Sequence, residues 1–253
     1  MQVVTLSLFR FTGAANKLWA FSQMQFARAA LAAMPDVQWV KQFGTGSRQS
    51  FHPYPNFAVY GIMCAWPDLE TARARVRGTA VFQAHRECAD EAWTVFATPT
   101  SASGLWDKRQ PFKVAKGERM PKPIGVLTRA TVKTRHLVDF WRNVPNVADA
   151  IDGFDGVLFR QGMGEVPWVH QVTFSIWSDM GKMSAFAYAK GHHATALKRA
   201  HELGWFKEEM FARFRLIESE GTWEGRNPLD GIELTDHRPA RHRSPALGPS
   251  GAA

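Results

Sequence analysis

The sequence predicts an α+β protein made of two ferredoxin-like β-α-β-β-α-β units that close into a barrel of the dimeric α/β type. Three observations support this fold. The order of strand-like and helix-like segments recurs in two halves of the 253 residues. A Trp-x-Asp tripeptide ends the third strand of each half, as Trp66-Pro67-Asp68 and as Trp177-Ser178-Asp179. Each half also supplies helices for only one face of its sheet, so the two bare faces are expected to pair.

Hydrophobic periodicity predicts the elements of the first half, residues 1–100. Apolar and polar residues alternate over residues 3–11, as in a strand, and apolar residues then recur at helical spacing over residues 18–34. Asp68 is a typical N-cap, and the helix that it begins is expected to end near residue 90. The other strands of this half are expected at residues 37–43, 57–66 and 93–98.

A polar, proline-rich stretch, residues 101–123, is predicted to link the halves, and the same order of elements recurs over residues 124–223. Residues 224–253 are predicted to form a flexible tail, because Arg, Pro, Ser and Gly dominate its later part. The expected strands of the second half are residues 124–132, 157–163, 169–177 and 210–217, and the expected helices are residues 135–150 and 180–203.

Composition limits the partners of the protein. A formal net charge of +8 and a sequence pI near 9.8 favour nucleic acid, an anionic membrane surface or an anionic cofactor. The basic residues form no compact stripe with interleaved aromatic residues, so we expect no nucleic-acid partner. We find neither a secretory signal nor an apolar run as long as a transmembrane helix. A cytoplasmic protein is therefore expected, with peripheral contact at the inner membrane left open.

The usual short catalytic motifs are missing from the sequence. No glycine-rich phosphate loop is present, which argues against nucleotide chemistry, and there is no nucleophile elbow or His-Glu-x-x-His zinc motif. Cys64 and Cys88 lack metal-ligand spacing and are expected to be reduced structural thiols.

The two halves differ most on the helix that follows the Trp-x-Asp tripeptide. When the tripeptides are superposed, Val81 and Phe82 of the first half match His192 and His193 of the second. His193 shares a helix face with Ala189 and Leu197, whereas His192 lies about 100° away around the helix. His193 is therefore expected to point toward the sheet. Two interpretations are open at this point, a histidine satisfied within the core or a metal ligand.

If His193 is a ligand, haem is the cofactor that its surroundings favour. One imidazole without a second ligand at suitable spacing makes a poor zinc site, whereas haem needs only one axial protein ligand. Small and apolar neighbours such as Ala189 and Leu197 would leave room for a flat group against the helix. The positive net charge is compatible with pairing the haem propionates.

Polar residues on predicted strands give candidates for a distal pocket. Gln171, Thr173 and Ser175 share one face of their strand, and Arg129 interrupts an apolar strand. Such residues are commonly solvated or hydrogen-bonded inside a barrel. Their functional interpretation is a catalytic pocket of Arg129, Gln171 and Ser175, in which a donor stabilises an oxygen species at the iron.

Long stretches of the chain resemble the spheroidene monooxygenase family. They include VVTLSLFRF, PYPNFAVYGIMCAWPD, PIGVLTRATVK, GMGEVPWVHQVTFSIW and FAYAKGHHATALKRAHELGWFKEEMFARFRLIESEGTW. Together the matching stretches span most of residues 3–223. In the family pattern a Gly-Trp pair follows one histidine by about eleven residues, which at Gly204-Trp205 selects His193 over His192.

The resemblance implies a haem-dependent oxygenase that introduces hydroxyl and then keto groups into an acyclic carotenoid. It implies haem b with His193 as proximal ligand, O2 as a substrate, and electrons from a donor such as ferredoxin. The tandem histidines and His170 beside Gln171 depart from the family pattern. This departure bears on the identity of the substrate more than on the identity of the cofactor. Ten tryptophans and 18 phenylalanines could line an apolar tunnel, although ordinary packing accounts for most of them.

Two alternatives keep the haem but change the function. One is an enzyme of the same fold that acts on another small apolar substrate, by aldoxime dehydration, peroxidation or another biosynthetic oxidation. The other is a haem-binding protein without turnover. A homo-oligomer is compatible with each of these interpretations.

Overall fold

The structure is a computed structural model, and it describes residues 1–47, 54–114, 122–142, 151, 153–188 and 202–234. Eight strands form one closed antiparallel barrel, which confirms the predicted mixture of helices with an antiparallel barrel. In chain order the strands are β1 (Val3–Arg10), β2 (Trp39–Gly46), β3 (Pro55–Trp66), β4 (Glu91–Gly104), β5 (Ile124–Val132), β6 (Val157–Gly164), β7 (His170–Trp177) and β8 (Phe206–Gly221). Around the barrel they follow the order β1-β3-β2-β6-β7-β5-β8-β4.

The main apolar core lies inside the barrel. Alternate side chains of a strand point to opposite faces, and each strand contributes inward-facing residues to this core. Leu8, Phe43, Trp93, Phe174 and Phe214 are among them, and each is at most 2% exposed. Because these large side chains fill the interior, the barrel is a packed core and any site for a large ligand lies elsewhere.

The helices lie outside the barrel. They are α1 (Ala14–Ala32), α2 (Leu69–Gly78), α3 (Ala80–Cys88) and α4 (Met180–Tyr188), with a 3-10 turn at Thr134–His136 followed by helical residues 137–142. The sequence predicted one helix after Asp68, but Thr79 is extended (φ −80°, ψ 141°) and separates α2 from α3. Of the predicted helix 180–203, residues 189–201 lie outside the described residues. In the part of the chain that the structure describes, no helix has the length and apolarity needed to span a bilayer.

The Trp-x-Asp tripeptides occupy matching places in the barrel. Trp66 pairs with Val3 of β1, and Trp177 pairs with Ile124 of β5. Both aspartates cap the helix that follows, since Asp68 accepts a hydrogen bond from the Thr71 amide at 2.8 Å and Asp179 accepts one from the Lys182 amide at 2.9 Å. The registers therefore match β1 with β5, β2 with β6, β3 with β7 and β4 with β8.

A second repeat, which the sequence analysis missed, closes the two ends of the barrel. Gly104-Leu105-Trp106 follows β4 and Gly221-Thr222-Trp223 follows β8, and each tryptophan forms a backbone bridge with the arginine three residues on. Both glycines have positive φ, 81° and 85°, and a Cβ at either would lie within 2.2 Å of a carbonyl oxygen. Only glycine fits such a turn. Trp106 and Trp223 are 0% and 4% exposed.

The described parts of the predicted linker and tail are packed against the barrel. β4 continues to Gly104, and Phe112 joins the interior core at 2% exposure. Leu229, from the stretch expected to be a flexible tail, is 6% exposed and belongs to the same core. These corrections share one cause: the ends of a barrel must be covered, and the chain that leaves β4 and β8 covers them. Residues 115–121 and 235–253 lie outside the described residues.

Candidate functional site

The outward-facing side chains of β5–β8 form a surface that we call the second outer face. Its first row consists of Arg160, Ser175, Val126 and Arg213, because these residues pair in sequence across β6, β7, β5 and β8. Residues paired across antiparallel strands point to the same face. The next two rows continue with Gly162, Thr173, Thr128 and Phe211, and then with Gln171, Ala130 and Glu209.

The matching surface of β1–β4, the first outer face, is packed with larger apolar groups. Phe9 of β1 stands where β5 has Ala130, and Phe96 of β4 stands where β8 has Arg213. Phe9 and Phe96 are 1% and 0% exposed. The second outer face thus lacks two buried rings and gains a guanidinium group. Along the neighbouring strands, Tyr60, Ile62 and Cys64 of β3 are replaced by Gln171, Thr173 and Ser175 of β7.

A helix residue completes the packing of the first outer face. Phe82 of α3 is 0% exposed, and its ring centre lies 6.4 Å from that of Phe9. Phe82 follows its capping aspartate by fourteen residues, and His193 follows Asp179 by the same number. His193, Ala189 and Leu197 lie outside the described residues, so their predicted role in holding a cofactor stays a prediction.

The structure places two of the predicted catalytic residues on one face of β7 and the third on the opposite side of the sheet. Gln171 and Ser175 lie on the second outer face and are 7% and 6% exposed. Ser175 Oγ accepts a hydrogen bond from Trp177 Nε1 at 2.9 Å, which leaves its own proton available to a ligand. Arg129 points the other way, into the barrel end, beside Met210 and Val172 of the interior core. The three residues therefore do not line one pocket, and their catalytic roles stay predictions.

A cavity of about 90 Å³ lies at the edge of the second outer face, beside the seam between β2 and β6. Gly162 and Gln171 line it from that face, together with His170, Trp141 and Trp168. Trp141 Nε1 donates a hydrogen bond to the Trp168 carbonyl at 3.1 Å, and Trp168 is 53% exposed. Within the described residues β2 and β6 pair over two positions only, which is fewer than at any other junction of the barrel.

Arg129 is the centre of a charged group that we call the barrel-end cluster. Its side chain is 1% exposed, and it donates to Glu208 Oε2. Its Nη2 lies 3.5 Å from Asp107 Oδ1, and its guanidinium carbon lies 5.3 Å from the centre of the Trp106 ring. A buried cation needs such carboxylate partners, because burying an unpaired charge in a protein core costs several kcal/mol of folding free energy.

Two further ion pairs complete the barrel-end cluster. Lys41 Nζ lies 2.6 Å from Glu165 Oε2 and also contacts Asp107. Glu165 Oε1 accepts a hydrogen bond from Trp106 Nε1 at 2.7 Å and lies 3.8 Å from His170 Nδ1. In this cluster two cations face three carboxylates, so it holds no free positive charge for an anionic ligand. The residues described contain no group of three His, Cys, Asp or Glu side chains that could hold a metal ion.

The surroundings of the cluster shift several pKa values. Burial raises the pKa of the Glu208 carboxyl, but the amide hydrogen bonds from Lys108 and Asp107 and the contact with Arg129 outweigh it, so the net shift is downward. Burial also raises the pKa of Asp107, but the hydrogen bond and charge of Lys41, together with the charge of Arg129, outweigh it and lower the pKa. Burial lowers the pKa of His170, and Glu165 offsets this only in part. The surroundings therefore favour the ionised form of the Glu208 and Asp107 carboxyls and the neutral form of the His170 imidazole.

These shifts predict acid sensitivity of the fold. A carboxyl whose pKa is lower in the folded state stabilises that state above its unfolded pKa, and this contribution is lost as the pH falls through the folded pKa. We expect the free energy of unfolding, measured with urea, to fall as the pH drops below about 5, where these carboxyls begin to take up protons in the unfolded chain. Glu208→Gln should show a shallower fall than the parent protein. An identical slope in the two proteins would contradict the assignment.

Arg129 stands out in the sequence, but its partners do not. Glu208, Asp107 and Glu165 are separated by tens of residues in sequence, and no periodicity relates them. One signal was present. Glu91 begins β4 and Glu208 lies at the matching place near the start of β8. Each accepts amide hydrogen bonds from residues that directly follow the tryptophan of a Gly-x-Trp turn, so alignment of the halves marks both as structural carboxylates.

Two curated relatives are similar over most of their length. The spheroidene monooxygenase of Cereibacter sphaeroides is 43% identical over 253 residues, which is all of this chain and 78% of the relative. The chain belongs to the spheroidene monooxygenase family. The family member of Rhodobacter capsulatus is 40% identical over 231 residues, covering 90% of this chain and 96% of the relative. The predicted family is thereby confirmed.

Two other comparisons concern parts of the chain or its fold. Residues 124–216 match the model of a domain of unknown function (DUF3291), and this match lies within the second half. The structure of an aldoxime dehydratase in complex with butyraldoxime superposes with a TM-score of 0.57 at 9% identity, covering 91% of this chain and 85% of the other. At that identity the likeness shows a shared fold only, so the spheroidene monooxygenase family remains the guide to function.

Proposed function

We propose that this protein is a haem-dependent monooxygenase that introduces hydroxyl and keto groups into an acyclic carotenoid such as spheroidene. The observation that carries this proposal is 43% identity, over the full length of the chain, to a relative named spheroidene monooxygenase. Oxygen comes from O2 and electrons from a donor such as ferredoxin. The enzyme is an oxidoreductase.

We infer that the barrel consists of two ferredoxin-like units. In each half the strands stand in the order fourth, first, third, second, and each half carries a Trp-x-Asp cap and a Gly-x-Trp turn at matching places. A duplicated unit allows one copy to keep a packed face while the other acquires a site. This makes the contrast between the two outer faces informative about function.

Several features of the second outer face support a haem b site. Ala130 stands where the first half buries Phe9, so its smaller side chain would leave room for a flat group, and Arg213 could pair with a propionate group. No carboxylate among the described residues forms an ion pair with Arg213. Val126 and Phe211 provide apolar contact on the same face. When bound, haem supplies the iron that activates O2, and the protein contributes an axial ligand and the surrounding polarity.

His193 is the proposed axial ligand. Its counterpart Phe82 packs over Phe9, and the counterpart of Phe9 is Ala130. By this correspondence we propose that His193 would be aimed at the place of the missing ring. The sequence spacing would put Ala189 and Leu197 on the same helix face, where they would contact the porphyrin.

Gln171 and Ser175 are the polar groups proposed to act near the reacting atoms. The Gln171 amide and the Ser175 hydroxyl can each donate a hydrogen bond on the second outer face. Arg129 lies on the other side of β5, where its ion pairs fix the strand that carries Ala130. We assign it a positioning role through β5.

The cavity at the β2–β6 seam is the proposed approach for the substrate. Its indole side chains, Trp141 and Trp168, offer apolar contact, and Gln171 connects the cavity to the second outer face. A linear hydrocarbon needs an apolar surface along its length and few polar contacts, except at the carbon that is oxidised.

The haem proposal predicts an effect of Arg213→Ala on cofactor affinity. Loss of one charge-assisted hydrogen bond costs about 1.5–3 kcal/mol, which corresponds to weaker haem binding by about ten-fold or more. Titration of the apoprotein with hemin, followed by Soret absorption, measures this. The matched control is Arg77→Ala on α2, whose side chain is 60% exposed and pairs with Glu220. Equal affinity in the two variants would count against the assigned role of Arg213.

Product analysis tests the proposed reaction. The protein is expressed in a bacterial host that makes an acyclic carotenoid, and the pigments are separated and identified by mass. We expect hydroxylated and keto products that require the protein. Haem binding without oxidised carotenoid would favour another haem reaction of this fold or a binding protein without turnover.

A further inference from the structure

Helix α1 and the start of β3 present an unusually apolar exposed surface. Leu18, Phe21 and Phe26 of α1 are 69%, 54% and 74% exposed, and Tyr54 and Phe57 are 69% and 52% exposed. The rings of Phe21 and Phe57 meet edge to face at 5.8 Å, so the exposed side chains of the helix adjoin those of the strand at this contact. Single exposed apolar residues are common, but a contiguous group of large ones marks an interaction surface.

The charges of the helix indicate the kind of partner. α1 contains Lys17 and Arg28 but no aspartate or glutamate. Asp36, just beyond its C-terminal end, is neutralised by Arg75 at 2.7 Å. An apolar face with nearby cations and no acidic residues complements a partner that has an apolar interior beneath a negatively charged surface.

We infer that this surface, the α1 patch, docks the protein onto an anionic lipid bilayer. Phe21, Phe26 and Phe57 would enter the boundary between headgroups and acyl chains, where amphipathic helices bury their apolar side chains. Lys17 and Arg28 would lie at the level of the anionic headgroups. No helix within the described residues spans a bilayer, so the contact is peripheral.

A second copy of this chain fits the α1 patch less well. A symmetric dimer through this surface would bring the cations of both copies into one interface without a carboxylate from either helix to pair with them. A bilayer containing anionic lipid supplies the missing negative charge. The inference does not depend on the haem proposal, but it suits an enzyme whose substrate is dissolved in a membrane.

Vesicle co-sedimentation tests the α1 patch. The full-length protein is mixed with vesicles of phosphatidylcholine alone or with 30% phosphatidylglycerol, a composition chosen to supply the negative surface potential. We expect binding to the anionic vesicles that high salt weakens. The double variant Phe21→Ser/Phe26→Ser should lower the partition coefficient at least ten-fold, and Lys17→Glu/Arg28→Glu should abolish the preference for anionic lipid.

The matched control is Val138→Ser, because Val138 is 62% exposed outside the α1 patch. It should bind vesicles like the parent protein, and circular dichroism should show that all variants fold, since each replaced side chain is exposed or partly exposed. The inference is overturned if the parent protein ignores anionic vesicles or if the phenylalanine variant binds them equally. It is also overturned if light scattering shows a dimer that only this variant loses, because the patch is then an interface between copies. Loss of carotenoid oxidation with normal vesicle binding would instead contradict the proposed function alone.

Discussion

Replacing His193 by alanine is expected to abolish binding of the proposed haem or to change its absorption spectrum strongly. The proposal gives the iron one protein ligand, so the variant loses the only coordinate bond from the chain. Absorption of protein purified after growth with added hemin measures the effect as loss or displacement of the Soret band. Oxidation of the carotenoid in the producing host should fall to background at the same time.

His192→Ala is the matched control for this prediction. The two histidines are adjacent, so both variants lose an imidazole from the same segment, but only His193 corresponds to the buried Phe82. The control should keep the Soret band. An unchanged band in His193→Ala would refute the assignment of the ligand, and loss of the band only in His192→Ala would transfer the role to its neighbour.

Replacing Arg129 by leucine is expected to destabilise the fold more than any other surface or barrel-end change considered above. Leu8 holds the matching place in β1, so leucine fits the strand, but the change leaves Glu208, Asp107 and Glu165 without their shared cation. Removal of one partner from a buried ion pair costs about 3–5 kcal/mol. Urea unfolding at neutral pH measures the loss.

Arg10→Leu provides the comparison at the opposite end of the barrel. Arg10 pairs with Glu91 at 3.2 Å and lies 4.5 Å from the centre of the Trp223 ring, but its side chain is 32% exposed. Solvent screens this pair, so a cost of at most about 1 kcal/mol is expected. If both variants lost a similar free energy of unfolding, burial of the arginine would not determine how much its removal destabilises the fold. The double variant Arg129→Leu/Glu208→Leu should recover part of the stability, because it removes both buried charges.

The sequence alone predicted the order of the elements because period-2 and period-3.6 patterns are local properties. Strands β1, β5 and β7 lie within two residues of their predicted bounds. The division into α2 and α3 at Thr79 was missed, since an extended residue after Gly78 leaves the helical pattern of apolar residues unbroken. The stretch after β4 was predicted as a linker because its polar composition hides Trp106 and Phe112, which the barrel end buries.

For the candidate site, the sequence identified residues without fixing which of them meet. It selected Gln171 and Ser175, which share the second outer face, and Arg129, which points away from them. The alternation of side chains along a strand gives two faces but does not say which face of β5 is aligned with which face of β7. The register decides it: Arg129 pairs with Val172, whose side chain points into the barrel, whereas Gln171 and Ser175 on the same strand point outward.

What the sequence determined by itself is the family, the repeated order of strands and helices, and the place where His193 breaks the likeness between the halves. These depend on neighbours along the chain or on direct comparison of two stretches. The tertiary structure decided which side of the sheet is packed, where Arg129 finds its carboxylates, and that Ala130 and Arg213 stand where the first half buries phenylalanines. Those relations arise only when strands distant in sequence are brought into register by hydrogen bonding. Local patterns in one sequence do not determine that register.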